Sequence, residues 1–168
     1  LDVFEADAMH IGCDEVFHIG LCDECKKYSN AQLLADWVNV LHDHLQEKNA
    51  ELMMWGDRFL SAEETGCGRY ESSKNDTEDA INMVKRDIIV CDWHYEKQTE
   101  FPSVDIFAKA NLRMFVCPMR VKSHAINFIE YAKVHDKGHI EGLLLTTWFG
   151  SGELARHMLY NEEPKWEH

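Results

Sequence analysis

No apolar run in this chain approaches the ~18 residues of a membrane-spanning helix; the runs are strand-sized, Gly142 to Leu145 among them. Helical membrane spans are thereby excluded. Basic residues are scarce as well, with 17 Lys+Arg against 30 Asp+Glu and a formal net charge of −13. So acidic a surface repels phosphate backbones and anionic headgroups, and neither nucleic acid nor a membrane is the expected partner. The opening Leu1-Asp2-Val3-Phe4-Glu5 has no basic region, no apolar region and no initiator Met. These residues do not read as a secretory signal, and they set the expectation of a piece of a longer chain. No glycine-rich phosphate loop follows any strand-like run, and no internal repeat or low-complexity tract interrupts the pattern.

What is there is one core's worth of apolar residues: 45% of 168, in a chain too short for two comfortable domains. Six cysteines would suit a disulfide framework in a shorter chain. Here Cys13, Cys91 and Cys117 lie in or beside apolar runs, where a reduced thiol serves as a small hydrophobe. A reducing, cytoplasmic location is expected.

Short apolar runs alternate with helical patterns. Strands are expected at residues 8–12, 52–55, 88–91, 114–117 and 143–148, rich in Ile, Val, Leu, Met or Phe and not clearly alternating. Continuous apolar character suits strands buried on both faces. Ser29 and Gln32 form a capping box ahead of a stripe of Leu33, Leu34, Trp37, Val38, Leu41 and Leu45. Further helices are expected over 77–85, 103–110, 123–137 with Gly138 as its stop, and 153–159 before Asn161 and Pro164.

Strand–helix alternation points to parallel strands joined by right-handed crossovers. The strands recur at about the spacing of one unit of a (β/α)₈ barrel of ~250 residues. The expected α/β fold is therefore a partial TIM barrel covering about strands four to eight, with residues 1–168 a C-terminal portion of one catalytic domain. An open doubly wound sheet is the rival, and it needs no missing part. Residues 61–75 form the longest irregular segment and follow a strand's C-terminal end, where active-site loops sit.

The strand ends carry the chemistry. In order they read His10-Ile11-Gly12-Cys13-Asp14-Glu15-Val16, Trp55-Gly56-Asp57-Arg58, Asp92-Trp93-His94-Tyr95-Glu96, Pro118-Met119-Arg120 and Thr147-Trp148-Phe149-Gly150. Acids and aromatics dominate. Indole faces with convergent carboxylates suit a sugar, whose C–H faces pack on rings while its hydroxyls need polar partners.

The first of these segments resembles the His-x-Gly-Gly-Asp-Glu signature at the fourth barrel strand of glycoside hydrolase family 20, the β-N-acetylhexosaminidases. Cys13 in place of the second Gly, followed by Val16-Phe17-His18-Ile19-Gly20, is most similar to the hexosaminidase D branch. The Trp-bearing strand ends extend the likeness over nearly the whole chain. The resemblance implies a (β/α)₈ barrel that removes terminal N-acetylhexosamine from glycans with retention of configuration. It also implies substrate assistance, in which the sugar's own acetamido oxygen attacks the anomeric carbon.

On that resemblance Glu15 matches the general acid/base and Asp14 the residue that bonds the acetamido N–H and stabilises an oxazolinium-like intermediate. Tyr95 matches the donor to the acetamido oxygen. Trp55, Trp93 and Trp148 match pocket walls, either Asp57 or Glu96 binds outer hydroxyls, and His10 is support behind the site. No cofactor and no metal is implied. Neighbouring side chains on a strand point opposite ways, so Asp14 and Glu15 share a site only if the strand ends by Cys13. The Asp14 charge and partial burial should raise the Glu15 pKa. On the same resemblance the family's arginine lies on the first barrel strand, which is expected to be missing from this chain along with ~90 residues at ~31 per unit; the last helix is expected to be cut short at His168.

Two other readings remain open. The same pocket binds a sugar without hydrolysing it, because the set is incomplete. Alternatively, His10, His18, Cys22 and Cys25 form a zinc centre in a hydrolase unrelated to sugars, although no second Cys-x-x-Cys supports it. The partners expected are an N-acetylhexosamine-terminated glycan and either a missing N-terminal barrel half or a second copy across open sheet edges.

Overall fold

Every neighbouring pair of strands runs parallel. The computed structural model describes residues 3, 5–119, 121–148 and 150–160; Leu1, Asp2, Phe4, Arg120, Phe149, Asn161 and Pro164 lie outside them. Strands β1 (Ala8–His10), β2 (Glu51–Trp55), β3 (Ile89–His94), β4 (Arg113–Pro118) and β5 (Ile140–Leu143) form one sheet in the order β1-β2-β3-β4-β5. Helices α1 (Asn30–Gln46), α2 (Ala62–Thr65), α3 (Pro102–Lys109), α4 (Lys122–His135) and α5 (Ser151–Tyr160) fall among and after the strands. The protein is α/β. No described helix is long and apolar enough to cross a membrane.

The pleat sorts the side chains onto two faces. Leu52, Met54, Val90, Met114 and Val116 join Leu34, Val38, Phe107 and Phe128 of the helices in the main core. The alternate residues Met53, Trp55, Cys91, Trp93, Phe115 and Cys117 make a second cluster on the opposite face. At Gly56 the chain passes against Phe107, whose Cζ would lie 2.7 Å from an added Cβ.

Helix α1 starts as its sequence dictates: the Ser29 side chain accepts from the Gln32 N–H. Only half of the expected capping box forms, since the Gln32 amide turns instead to Asp36 at 2.6 Å. The helix expected over 77–85 is only a 3₁₀ segment, Glu78–Asn82. An α-helix there would need Lys85 N–H to bond Ile81 C=O. The Ile81 carbonyl is taken by Arg86 at 2.8 Å, and the Lys85 amide donates to Asn39 at 3.0 Å. The stop of α4 also differs: Asp136 caps the chain, its Oδ1 accepting from the amides of Gly138, His139 and Ile140.

The fifth strand lies earlier than the expected 143–148. Leu144 N–H still reaches Val116 C=O at 3.0 Å and Thr146 N–H reaches Pro118 C=O at 3.2 Å. Pro118 accepts but has no N–H to return, so the ladder stops there.

Candidate active site

Strand β1 ends early, and that is what brings two adjacent acids together. Gly12 and Cys13 both take the left-handed conformation, φ 74° and 68°, with Glu15 following at 51°. Glycine adopts this freely, whereas cysteine and glutamate do so only when neighbours hold them. Those neighbours are present. Asp57 Oδ2 accepts the Glu15 amide at 2.9 Å, and Asn75 donates its side-chain N–H to Val16 C=O at 2.9 Å and Phe17 C=O at 3.3 Å. Asn75 is itself fixed through its carbonyl, which accepts from Asn30 at 2.8 Å.

Asp57 is the keystone of this arrangement rather than part of the cleft surface. It is 2% exposed, and besides the Glu15 amide it accepts from Arg58 Nε at 2.7 Å and Trp93 Nε1 at 3.1 Å. Burial pushes its carboxyl up, while Arg58, the Glu15 amide and Trp93 pull the other way. Arg58 is also buried. Its Nη2 donates to the carbonyls of Arg69, Tyr70 and Ser72 at 2.7–2.9 Å, pinning the 66–72 loop against the sheet end.

Asp14, Glu15, Trp55, Trp93, Tyr95, Glu96 and Trp148 line one cleft of about 780 Å³. Burial first, then Asp14 and Asp57, raise the Glu15 carboxyl above its ordinary value, in the direction the sequence suggested. Trp93 and Tyr95 share a face, ring centroids 4.8 Å apart, and Trp55 and Trp148 face each other at 6.0 Å. The Tyr95 hydroxyl oxygen accepts from Trp148 Nε1 and meets Thr146 Oγ1, both at 3.0 Å. Thr146 has a single hydroxyl proton and its Oγ1 also lies 3.3 Å from Pro118 C=O, so the Tyr95–Thr146 bond can run in either sense. Burial raises the Tyr95 hydroxyl, so it keeps its proton near neutral pH. His10 stands behind the wall, accepting the Gly12 amide at 3.0 Å and tilted on Trp55 at 4.7 Å.

The remaining wall comes from Cys67 and from residues that the sequence did not single out, Tyr70 and Glu71 in the 66–71 loop with Gln98. Glu71 Oε1 accepts the Tyr95 amide at 3.1 Å, and Oε2 meets His94 Nδ1 at 2.7 Å and the Gln98 amide at 2.9 Å. The other nitrogen of His94 meets Ser103 Oγ at 2.9 Å and Asp92 Oδ1 at 3.2 Å. His94 is thus a buried ring bracketed by two carboxylates. Burial opposes its charge, but Asp92, then Cys67 and Glu71, outweigh this and hold it well above its ordinary value. Glu71 is lowered despite burial, chiefly by His94.

Cys67, Glu71 and His94 bring a sulfur, an oxygen and a nitrogen within 4.8 Å of one another, a spacing that metals also use. Both His94 nitrogens already have oxygen partners, Glu71 on one side and Ser103 with Asp92 on the other, so Glu71, His94 and Asp92 form a hydrogen-bond relay. Among the described residues, His10, His18, Cys22 and Cys25 do not gather as a ligand set.

The relay predicts a pH signature. A raised histidine stabilises the fold fully below its unfolded pKa near 6.5, and that stability is lost as pH rises through the folded value. Glu71 works oppositely: its share is present above its ordinary 4.5 and lost as pH falls through the lowered value. Denaturant midpoints measured across pH should therefore separate wild type from His94→Gln most widely between those two limits, the gap narrowing on the alkaline side. A gap that ignores alkaline pH would mean that His94 is neutral in the fold.

The chain matches no protein-family model and no curated protein sequence.

Proposed function

We propose that this chain carries the acid/base pair and sugar pocket of a retaining β-N-acetylhexosaminidase, on part of a (β/α)₈ barrel. One observation carries the reading: two adjacent carboxylates, Asp14 and Glu15, open onto a cleft walled by three tryptophans and the Tyr95 side chain. Strand order supports the barrel, since a doubly wound sheet reverses order at a switch point and this one runs β1 to β5 without reversal. In this mechanism the substrate's acetamido oxygen attacks the anomeric carbon, oriented by the Tyr95 hydroxyl. Asp14 accepts the acetamido N–H and offsets the positive charge that develops. Glu15 gives its proton to the departing oxygen, then takes one from the water that opens the cyclic intermediate. Glu96, exposed on the cleft wall, suits the outer hydroxyls better than Asp57, whose oxygens are occupied.

Hydrolysis of a chromogenic N-acetylglucosaminide tests the reading, with a thiazoline mimic of the cyclic intermediate as inhibitor. The mimic should bind at least about 100-fold more tightly than N-acetylglucosamine, as transition-state analogues do. Equal affinities together with no turnover would overturn it. Sugar binding without hydrolysis is favoured by one feature, the openness of the cleft: Trp148 is 58% exposed. Among the described residues β1 and β5 each pair on one side only, and Leu143, Leu144 and Leu145 stand exposed beside that edge. Such edges suit completion by further strands or a second copy of the chain. Titration of the sugar without turnover, with turnover restored by a complementary barrel half, is the outcome that reading requires.

A further inference from the structure

The segment between the catalytic loop and helix α1 holds a second arrangement of reactive groups, independent of the sugar cleft. Cys22 and Cys25 are free thiols at the surface, Cys22 exposed and Cys25 half-buried. Their backbone is a closed turn: Lys26 N–H bonds Cys22 C=O at 2.9 Å, and Tyr28 N–H bonds Cys25 C=O at 3.0 Å. Inside the turn the Cys25 amide donates to Cys22 Sγ at 3.2 Å. A turn this tight holds Cα atoms three residues apart within about 7 Å. A disulfide needs Cα atoms roughly 4.4–6.8 Å apart, so closure asks for little backbone movement.

We propose that Cys22 and Cys25 form a redox-active dithiol that exchanges with small-molecule disulfides of the glutathione type, Cys22 attacking and Cys25 resolving. The asymmetry of the pair assigns the roles. Cys22 Sγ is the sulfur that meets the Cys25 amide at 3.2 Å; the neighbouring Cys25 thiol and then that amide lower the Cys22 pKa, whereas Cys22 raises Cys25. The thiolate is the nucleophile, so attack begins at Cys22. Its sulfur bonds one sulfur of glutathione disulfide and the S–S bond breaks; the first glutathione leaves as thiolate and takes up the proton lost from Cys22. Cys25 then gives up its proton and attacks the Cys22 sulfur, forming the Cys22–Cys25 disulfide and releasing the second glutathione. The protein dithiol is oxidised by two electrons and one glutathione disulfide is reduced to two thiols.

Exposure makes the reaction selective. Cys91 and Cys117 are fully buried, which keeps a disulfide from reaching them, and the half-buried Cys13 has its thiol pushed up to about 11 by burial. Cys67, half-buried on the cleft wall, is the competing thiol that the mapping has to distinguish. The test is to treat the full chain with glutathione disulfide near neutral pH, quench by alkylation and map the cysteines by mass spectrometry. Wild type should lose two hydrogen masses as one Cys22–Cys25 disulfide. Cys25→Ser should instead retain one glutathione at Cys22, and Cys22→Ser should react at least about tenfold more slowly. Both substitutions sit at the surface, and circular dichroism of each variant confirms the fold. Glutathione spread over several cysteines, or Cys22→Ser reacting as fast as wild type, would overturn the proposal. Neither result bears on the sugar cleft, whose assay is separate.

Discussion

Glu15→Gln should reduce hydrolysis of N-acetylhexosaminides with poor leaving groups by about 10²–10⁴-fold, and of nitrophenyl-type substrates far less. The difference arises because a nitrophenolate departs without a proton, whereas an alkoxide or a sugar hydroxyl does not. Glutamine keeps the shape of the side chain, and the bond to Asp57 runs through the backbone amide, so the loop conformation survives the change. The pH profile supplies a second readout. Burial, Asp14 and Asp57 raise Glu15, and a general acid is lost as pH climbs through its pKa. Wild-type turnover of poor substrates should therefore fall on the alkaline side, and the variant should lack that limb. Equal losses on both substrate types, with the limb retained, would remove Glu15 from the acid role.

Much of this site is legible in the sequence because its residues fall at strand ends. Trp55 and Trp93 could be placed from short apolar runs that carry an aromatic residue, and Asp14 with Glu15 from the requirement that the strand stop first; Trp148 lines the cleft although β5 ends before it, at Leu143. The structure meets that requirement through Gly12 and Cys13. What escaped were groups whose meaning depends on distant partners. Asp57 read as an alternative to Glu96 for the outer hydroxyls because nothing local shows that Glu15, Arg58 and Trp93 all converge on it. Glu71 and His94 are 23 residues apart and meet only when the 66–72 loop folds back across the sheet end. The irregular segment 61–75 was visible as a loop near the site, but loop length says nothing about which of its side chains turn inward. The 77–85 helix failed for the same reason, its pattern being overridden by Asn39 and Arg86.

Arg58→Met should be the most damaging single change to the fold. The guanidinium is 1% exposed, bonds Asp57 and three carbonyls of the 69–72 stretch, and lies 5.3 Å over the Phe17 ring. Methionine fills part of the volume and supplies no donor. Asp57 then stays buried with its main counter-charge gone, and breaking a buried pair from one side costs about 3–5 kcal/mol. Against a net stability of about 5–15 kcal/mol, that is enough to shift the unfolding midpoint far down in denaturant. Arg58→Lys should fall between, since a point charge keeps the attraction but loses the fork that spans Asp57 and the loop. Adding Asp57→Asn to Arg58→Met removes the stranded acid, and an amide oxygen still accepts from the Glu15 N–H. The double variant should thus recover part of the loss, a coupling of about 0.5–3 kcal/mol in a double-mutant cycle. Strict additivity would show that the two side chains act separately, and the loop that carries Glu71 would then owe its position to the Arg58 carbonyl bonds alone.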